Sequence, residues 1–110
     1  MKPDLKPRRV VVTGLGAIAA NGNDTATYWN ALKQGVSGIG PVTQFDPALY
    51  PSKQAFEVRD FDPTIYMEKK ESRRIDRYAQ FAIGATAQAL KDGGLDLSRV
   101  DLDRVGVIVG

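Results

Sequence analysis

The chain has 110 residues, 43% of them hydrophobic and 25% charged, the size and balance of one small globular domain rather than a disordered tail. Its formal charge is only +2, so affinity for a polyanion has to come from a local basic patch and not from the surface as a whole. It holds no cysteine and no histidine, which excludes disulfides, thiolate metal sites, a cysteine nucleophile and the commonest general base from these residues.

The opening "MKPDLKPRRV" lacks the apolar centre of a secretory signal, and no run reaches the ~18 consecutive apolar residues of a membrane span. A cytoplasmic setting without membrane contact is therefore expected. Residues 1–8, with Pro3, Pro7 and their basic neighbours, read as a flexible arm. From residue 9 to 13 the β-branched run Val10, Val11, Val12 and Thr13 predicts a strand buried on both faces, as in a sheet covered by helices.

That strand leads into "VVVTGLGAIAANGN", where Gly14, Gly16 and Ala19 fit the G-x-G-x-x-G/A spacing of dinucleotide sites. The chemistry of such a site needs a helix to begin within the glycine loop, because free N–H groups and the positive dipole end hold the pyrophosphate. Here Ala20, Asn21, Gly22 and Asn23 follow, turn formers that stop a helix in its first turn, and about 20 positions on stand Lys33, Gln34 and Gly35 in place of an acidic residue. The glycines read as a tight strand exit, and no cofactor is called for.

"NDTATYWNALKQG" is punctuated as a helix, with Asn23 or Asp24 as N-cap and Gly35 at the left-handed C′ position. Its inward face is Tyr28, Ala31 and Leu32, with Trp29 at the edge. Residues 35–63 are a long surface excursion in which only "AFEV" at 55–58 reads as a strand, and each "FDP" turn has a proline that forces the preceding aspartate from the helical region. The strongest helix is predicted from 66 or 68 to 91, ending at Gly93-Gly94, with a buried stripe of Ile75, Tyr78, Ala79, Ala82, Ala85, Thr86 and Ala89. A second buried strand is predicted at 105–109. Strand, helical crossover and strand make the grammar of a parallel α/β sheet, whose sites gather beyond the carboxyl ends of the strands. The chain is thus expected to stop where a site begins.

Taken together, "RRVVVTGLG" at 8–16, "YWNALKQGVSGI" at 28–39, "FDP" at 45–47, "RRIDRYAQFAIGATAQALKDGGL" at 73–95 and "RVGVIVG" at 104–110 resemble, in order and spacing, the N-terminal quarter of the β-ketoacyl-acyl carrier protein synthases, closest to the synthase II type. The resemblance implies a thiolase-like α/β fold: an αβαβα layering with a mixed, mostly parallel sheet and a buried central helix, residues 9–110 being its N-terminal portion. It also implies a homodimeric condensing enzyme that joins malonyl and acyl thioesters on acyl carrier protein in fatty acid synthesis. That family uses a cysteine nucleophile and two histidines, none of which can be placed in this chain, so they are expected beyond Gly110. "AIAANGND" after Gly16 is less proline-rich than the family pattern, which leaves the subfamily open.

Within "KKESRRIDR", Lys70, Arg73, Arg74 and Arg77 recur at the spacing of one helix face. Such a stripe is locally unfavourable, since like charges at i, i+4 cost about 0.2 to 0.5 kcal/mol and cations oppose the positive end of the helix dipole. Composition alone favours a solvated face moderated by Glu68, Glu71 and Asp76. The resemblance instead implies that Lys70, Arg73 and Arg74 dock the acidic recognition helix of acyl carrier protein, while Arg77 has no counterpart in that role. Two rivals stand beside the enzyme: a chain-length-factor-like partner subunit without a nucleophile, and a free-standing basic binding module. Against nucleic acid as the module's partner, no aromatic side chains interleave with the basic ones to form a stacking platform.

Overall fold

The computed structural model describes residues 7–109, so most of the arm expected at 1–8 lies outside the described residues, as does Gly110. Elements follow in the order α1 (Thr25–Lys33), β1 (Gly40–Pro41), β2 (Gln54–Ala55), α2 (Lys69–Ser72) and α3 (Arg77–Asp92), with short 3-10 turns at Pro63–Ile65, Leu97–Arg99 and Leu102–Arg104.

Helix α1 starts and stops on local chemistry. Asp24 is extended at φ −152°, ψ 163°, and its carboxylate accepts from the Thr27 backbone N–H at 2.8 Å and the Thr27 hydroxyl at 2.7 Å. At the other end Gly35 takes φ 67°, its N–H donates to the Leu32 carbonyl, and that of Val36 donates to Ala31. This is a Schellman closure, which satisfies carbonyls that a helix end leaves free. Helix α3 closes the same way: Gly94 has φ 60°, and the N–H groups of Gly94 and Leu95 reach Lys91 and Leu90. Of the face expected on α1, Ala31 is buried and Tyr28 half-buried, but Leu32 and Trp29 are exposed.

The predicted strand at 55–58 shrinks to a two-residue ladder, Gly40 opposite Ala55 and Pro41 opposite Gln54. The loop between the two strands is tied by side chains. Glu57 accepts from the Thr43 N–H at 2.9 Å and the Thr43 hydroxyl at 2.7 Å, and these hydrogen bonds hold its carboxyl below the ordinary value. The Lys53 ammonium donates to three carbonyls, Pro47 at 2.5 Å, Ala48 at 2.7 Å and Tyr50 at 2.6 Å. Asp62 is extended before Pro63, as its position requires, and accepts from the Thr64 N–H to start the first 3-10 turn.

The strands expected at 9–13 and 105–109 do not form among the described residues. Val10, Val12 and Ile108 are 86%, 80% and 98% exposed, and neither segment has a ladder partner. A strand is stabilised by its neighbours' hydrogen bonds and side chains, and neither run is placed beside such a neighbour among the described residues. Its radius of gyration is accordingly 18.3 Å, against about 13 Å for a compact domain of this length.

Packing concentrates on α3. On one side Phe61 stacks on Tyr66 at 6.0 Å between centroids and meets the edge of Phe81 at 5.0 Å. Gly84, buried beneath them, leaves room for both the Phe61 and Tyr66 rings. On another side the backbone at Gly14 and Gly16 lies directly against Ala85, Ala89 and Gly93. The stripe expected along this helix is only partly covered: Ala79, Ala82, Ala85 and Ala89 are half-buried, whereas Tyr78 and Thr86 are exposed.

Candidate functional site

The basic segment does not lie on one helix. Lys70 belongs to α2, Arg73 is that helix's C-cap at φ −75°, ψ −11°, Arg74 follows in a turn, and Arg77 opens α3. The continuous helix expected from 66 or 68 onward is therefore broken at 73–76, and the single basic face with it. Asp76 takes extended backbone, φ −67°, ψ 155°, as the N-cap of α3. Its side chain makes no capping hydrogen bond, but aspartate is a poor helix-interior residue, and interrupting the helix relieves the repulsion that four cations at helical spacing would suffer.

Lys70, Arg73 and Arg74 are all exposed at this break. Arg77 points elsewhere: its guanidinium donates to the Val58 carbonyl at 2.6 Å and lies 5.0 Å from the centre of the Phe81 ring. It fastens the start of α3 to the preceding loop. The cation set therefore separates into three outward residues and one latch.

Two residues of this segment carry no signal in the sequence. Ser72 is buried within a run of charges, and its hydroxyl donates to the Lys69 carbonyl at 3.0 Å. Gln80, on the first turn of α3, donates its side-chain amide to the Ser72 carbonyl at 2.7 Å. A polar side chain reaching back across a helix break is a tertiary contact, so neither periodicity nor composition marks it.

The glycine loop has a different occupant from the one its spacing advertises. A Cβ on Gly16 would overlap the Ala85 carbonyl oxygen, and one on Gly14 would overlap that of Ala89. Leu15 N–H, between the two glycines, donates to Asp92 at 2.8 Å, and Ala17 N–H, just after them, donates to Gln88 at 3.1 Å. The chain then turns through an Ala19–Gly22 bridge rather than entering a helix. The loop's backbone is thus committed to α3.

Beside α3 runs an open apolar groove of about 510 Å³, lined by Tyr78, Ala79, Ile83, Leu90, Val107 and Val109 among others. No group of acidic residues able to hold a metal ion occurs among the described residues, nor does any helix there have the length and apolarity to cross a membrane.

The family model for the β-ketoacyl synthase N-terminal domain matches residues 7–110. Relatives include 3-oxoacyl-[acyl-carrier-protein] synthase 2 of Synechocystis sp., 43% identical over 107 residues, covering 97% of this chain and 26% of that protein. The enzyme of the same name from Coxiella burnetii is 42% identical over 106 residues, covering 96% of this chain and 26% of that protein. Among solved structures, the ishigamide ketosynthase/chain length factor superposes with a TM-score of 0.76 at 35% identity, covering 83% of this chain and 23% of its own. The chain spans about a quarter of the length of the curated relatives it matches. With a ketosynthase-like backbone and a family model that matches from residue 7 to residue 110, the chain belongs to the β-ketoacyl synthase family, as N-terminal domain sequence.

Proposed function

We propose that the protein carrying this chain is an elongating ketosynthase, extending an acyl chain held by acyl carrier protein by two carbons in fatty acid synthesis. The observation that carries this reading is the 43% identity to a 3-oxoacyl-[acyl-carrier-protein] synthase 2 across 97% of the chain. In the reaction the malonyl carboxylate leaves as carbon dioxide, its electron pair forms the new carbon–carbon bond to the acyl carbonyl, and the acyl group leaves its thiol. The cysteine and histidines that the family uses for this have no counterpart here, so this chain's part is scaffold and docking.

As scaffold, residues 9–110 supply the first portion of a thiolase-like layered fold in a cytoplasmic homodimer, with residues 1–8 as its arm. The exposed apolar runs at Val10–Val12 and Val107–Val109 become sheet strands once the remainder of the fold gives them neighbours, and α3 becomes a covered central helix. As docking surface, Lys70, Arg73 and Arg74 face an acidic helix of the carrier protein. Exposed cations at an interface rim act mainly by steering encounter and fixing register, a role that suits side chains left outward at a helix break.

A partner subunit without catalysis is the rival reading, and the curated relatives, both named synthases, weigh against it. The deciding experiment supplies the full-length protein with malonyl and acyl carrier protein thioesters. The expected result is a 3-oxoacyl product lengthened by two carbons, with release of carbon dioxide. Absence of product from a folded protein overturns the reading.

A further inference from the structure

We propose that Gln80 is a positioning residue for the docking segment, its side-chain amide setting the turn from which Arg73 and Arg74 project. The inference rests on the docking reading above and adds the element that gives those cations a defined place.

Helix α2 has only four residues, Lys69–Ser72, too few to hold its shape without outside contacts. Its last carbonyls need partners beyond the helix. In α1 and α3 a glycine in the left-handed region closes the end by Schellman bonds, but no glycine follows α2. Its exit is closed from the neighbouring helix instead. The Gln80 amide nitrogen lies 2.7 Å from the Ser72 carbonyl oxygen and 3.5 Å from that of Ile75, so a single side chain spans the break. Gln80 is itself held, its backbone N–H bonding the Asp76 carbonyl at 3.1 Å.

The surroundings make that contact decisive. Ser72 is 7% exposed, so its polar groups have to find protein partners. Its hydroxyl turns back to Lys69, and the next turn bond runs from the Arg74 N–H to the Glu71 carbonyl at 2.9 Å. Arg73 and Arg74 directly follow the anchored carbonyl. Arg77, one turn before Gln80, latches the other flank to Val58. Without the amide, the carbonyl that Arg73 directly follows loses its tertiary partner, and the segment keeps only its short-range bonds and the Arg77 latch.

The test uses the full-length enzyme with carrier-bound substrate and Gln80→Met, which keeps length and neutrality and removes the donor. The Michaelis constant for carrier-bound substrate is expected to rise about 3- to 10-fold, as for a buried carbonyl left unpartnered, while kcat stays within about twofold. The salt dependence stays as steep as in the wild type, because no charge has changed. Arg73→Glu with Arg74→Glu runs alongside. If that double variant leaves the Michaelis constant unchanged, the docking reading itself fails. If the double variant raises it and a folded Gln80→Met does not, the Gln80 inference fails and the docking reading stands. Should Gln80→Met not fold, hydrogen exchange of the wild-type Arg74 amide decides: protection supports the anchored turn, and exchange at the rate of an unstructured peptide overturns it.

Discussion

Gly16 and Ala85 meet backbone to backbone, so closely that a Cβ on the glycine would overlap the alanine's carbonyl oxygen. Gly14 repeats the contact against Ala89 and Gly93. Residues two apart on extended backbone face the same way, and residues four apart on a helix share a face. The G-x-G pair is therefore a steric match to Ala85, Ala89 and Gly93 of α3.

This match makes Gly16→Ala costly although it adds a single methyl group. Overpacking against backbone, which cannot rotate aside, is expected to destabilise the full-length protein by about 2 to 3 kcal/mol, read as a lower Tm in thermal unfolding. A variant as stable as the wild type would show that the contact is loose in solution. The loop's Leu15 and Ala17 N–H groups are already bonded to Asp92 and Gln88, and no helix starts there to offer others, so NAD, NADP and FAD are expected not to bind. Millimolar or tighter binding that Gly16→Val abolishes would reverse that conclusion.

Asp24 offers a test with a pH axis. The Thr27 backbone N–H, and after it the Thr27 hydroxyl, hold the Asp24 carboxyl below its ordinary 3.8. A lowered folded value means stabilisation that is complete above 3.8 and lost as pH falls through the folded value. Asp24→Ala is expected to cost about 1 kcal/mol at neutral pH, with the difference from wild type shrinking in acid. Asp24→Asn keeps the cap without the titration. Equal pH profiles for wild type and Asp24→Asn would remove the assignment.

How far these features can be read in advance depends on how local their causes are. The caps of α1 and the glycine stops at Gly35 and Gly94 rest on chemistry within a few residues, and they stand where the residues place them. The strands at 9–13 and 105–109 depend on partners far away or outside the chain, and β-branched runs alone do not make a ladder. The long helix fails at 73–76 because the poor helix propensity of Asp76 and the mutual repulsion of the cations oppose a periodicity that is otherwise continuous. At the candidate site, the exposure of Lys70, Arg73 and Arg74 follows from composition. The diversion of Arg77 to Val58 and the reach of Gln80 to Ser72 do not, because each joins segments that only the fold brings together.

The docking role proposed for Arg73 and Arg74 carries its own charge-reversal test. Arg73→Glu with Arg74→Glu in the full-length enzyme is expected to weaken carrier-protein binding by about 10- to 100-fold, or about 1.4 to 2.8 kcal/mol. Salt should weaken the wild type more than the variant, since screening removes an attraction the variant no longer has. Binding measured by titration at low and physiological ionic strength separates the cases. An unchanged affinity at low salt would reduce the segment to a solvated surface.

Residues 1–110 on their own are expected to fold poorly. With Val10, Val12 and Ile108 in solvent and an open groove along α3, residues 1–110 expressed alone should bind a hydrophobic dye and melt without a cooperative transition. They should show no condensing activity. A sharp thermal transition with well-dispersed amide resonances would contradict this.

The ammonium of Lys53, seated among the carbonyls of Pro47, Ala48 and Tyr50, occupies the position that a potassium ion takes in a ring of backbone oxygens. Because this cation is tethered to the polypeptide, it cannot diffuse away or be exchanged for another ion. The loop between β1 and β2 thus carries its own donor for three of its carbonyls.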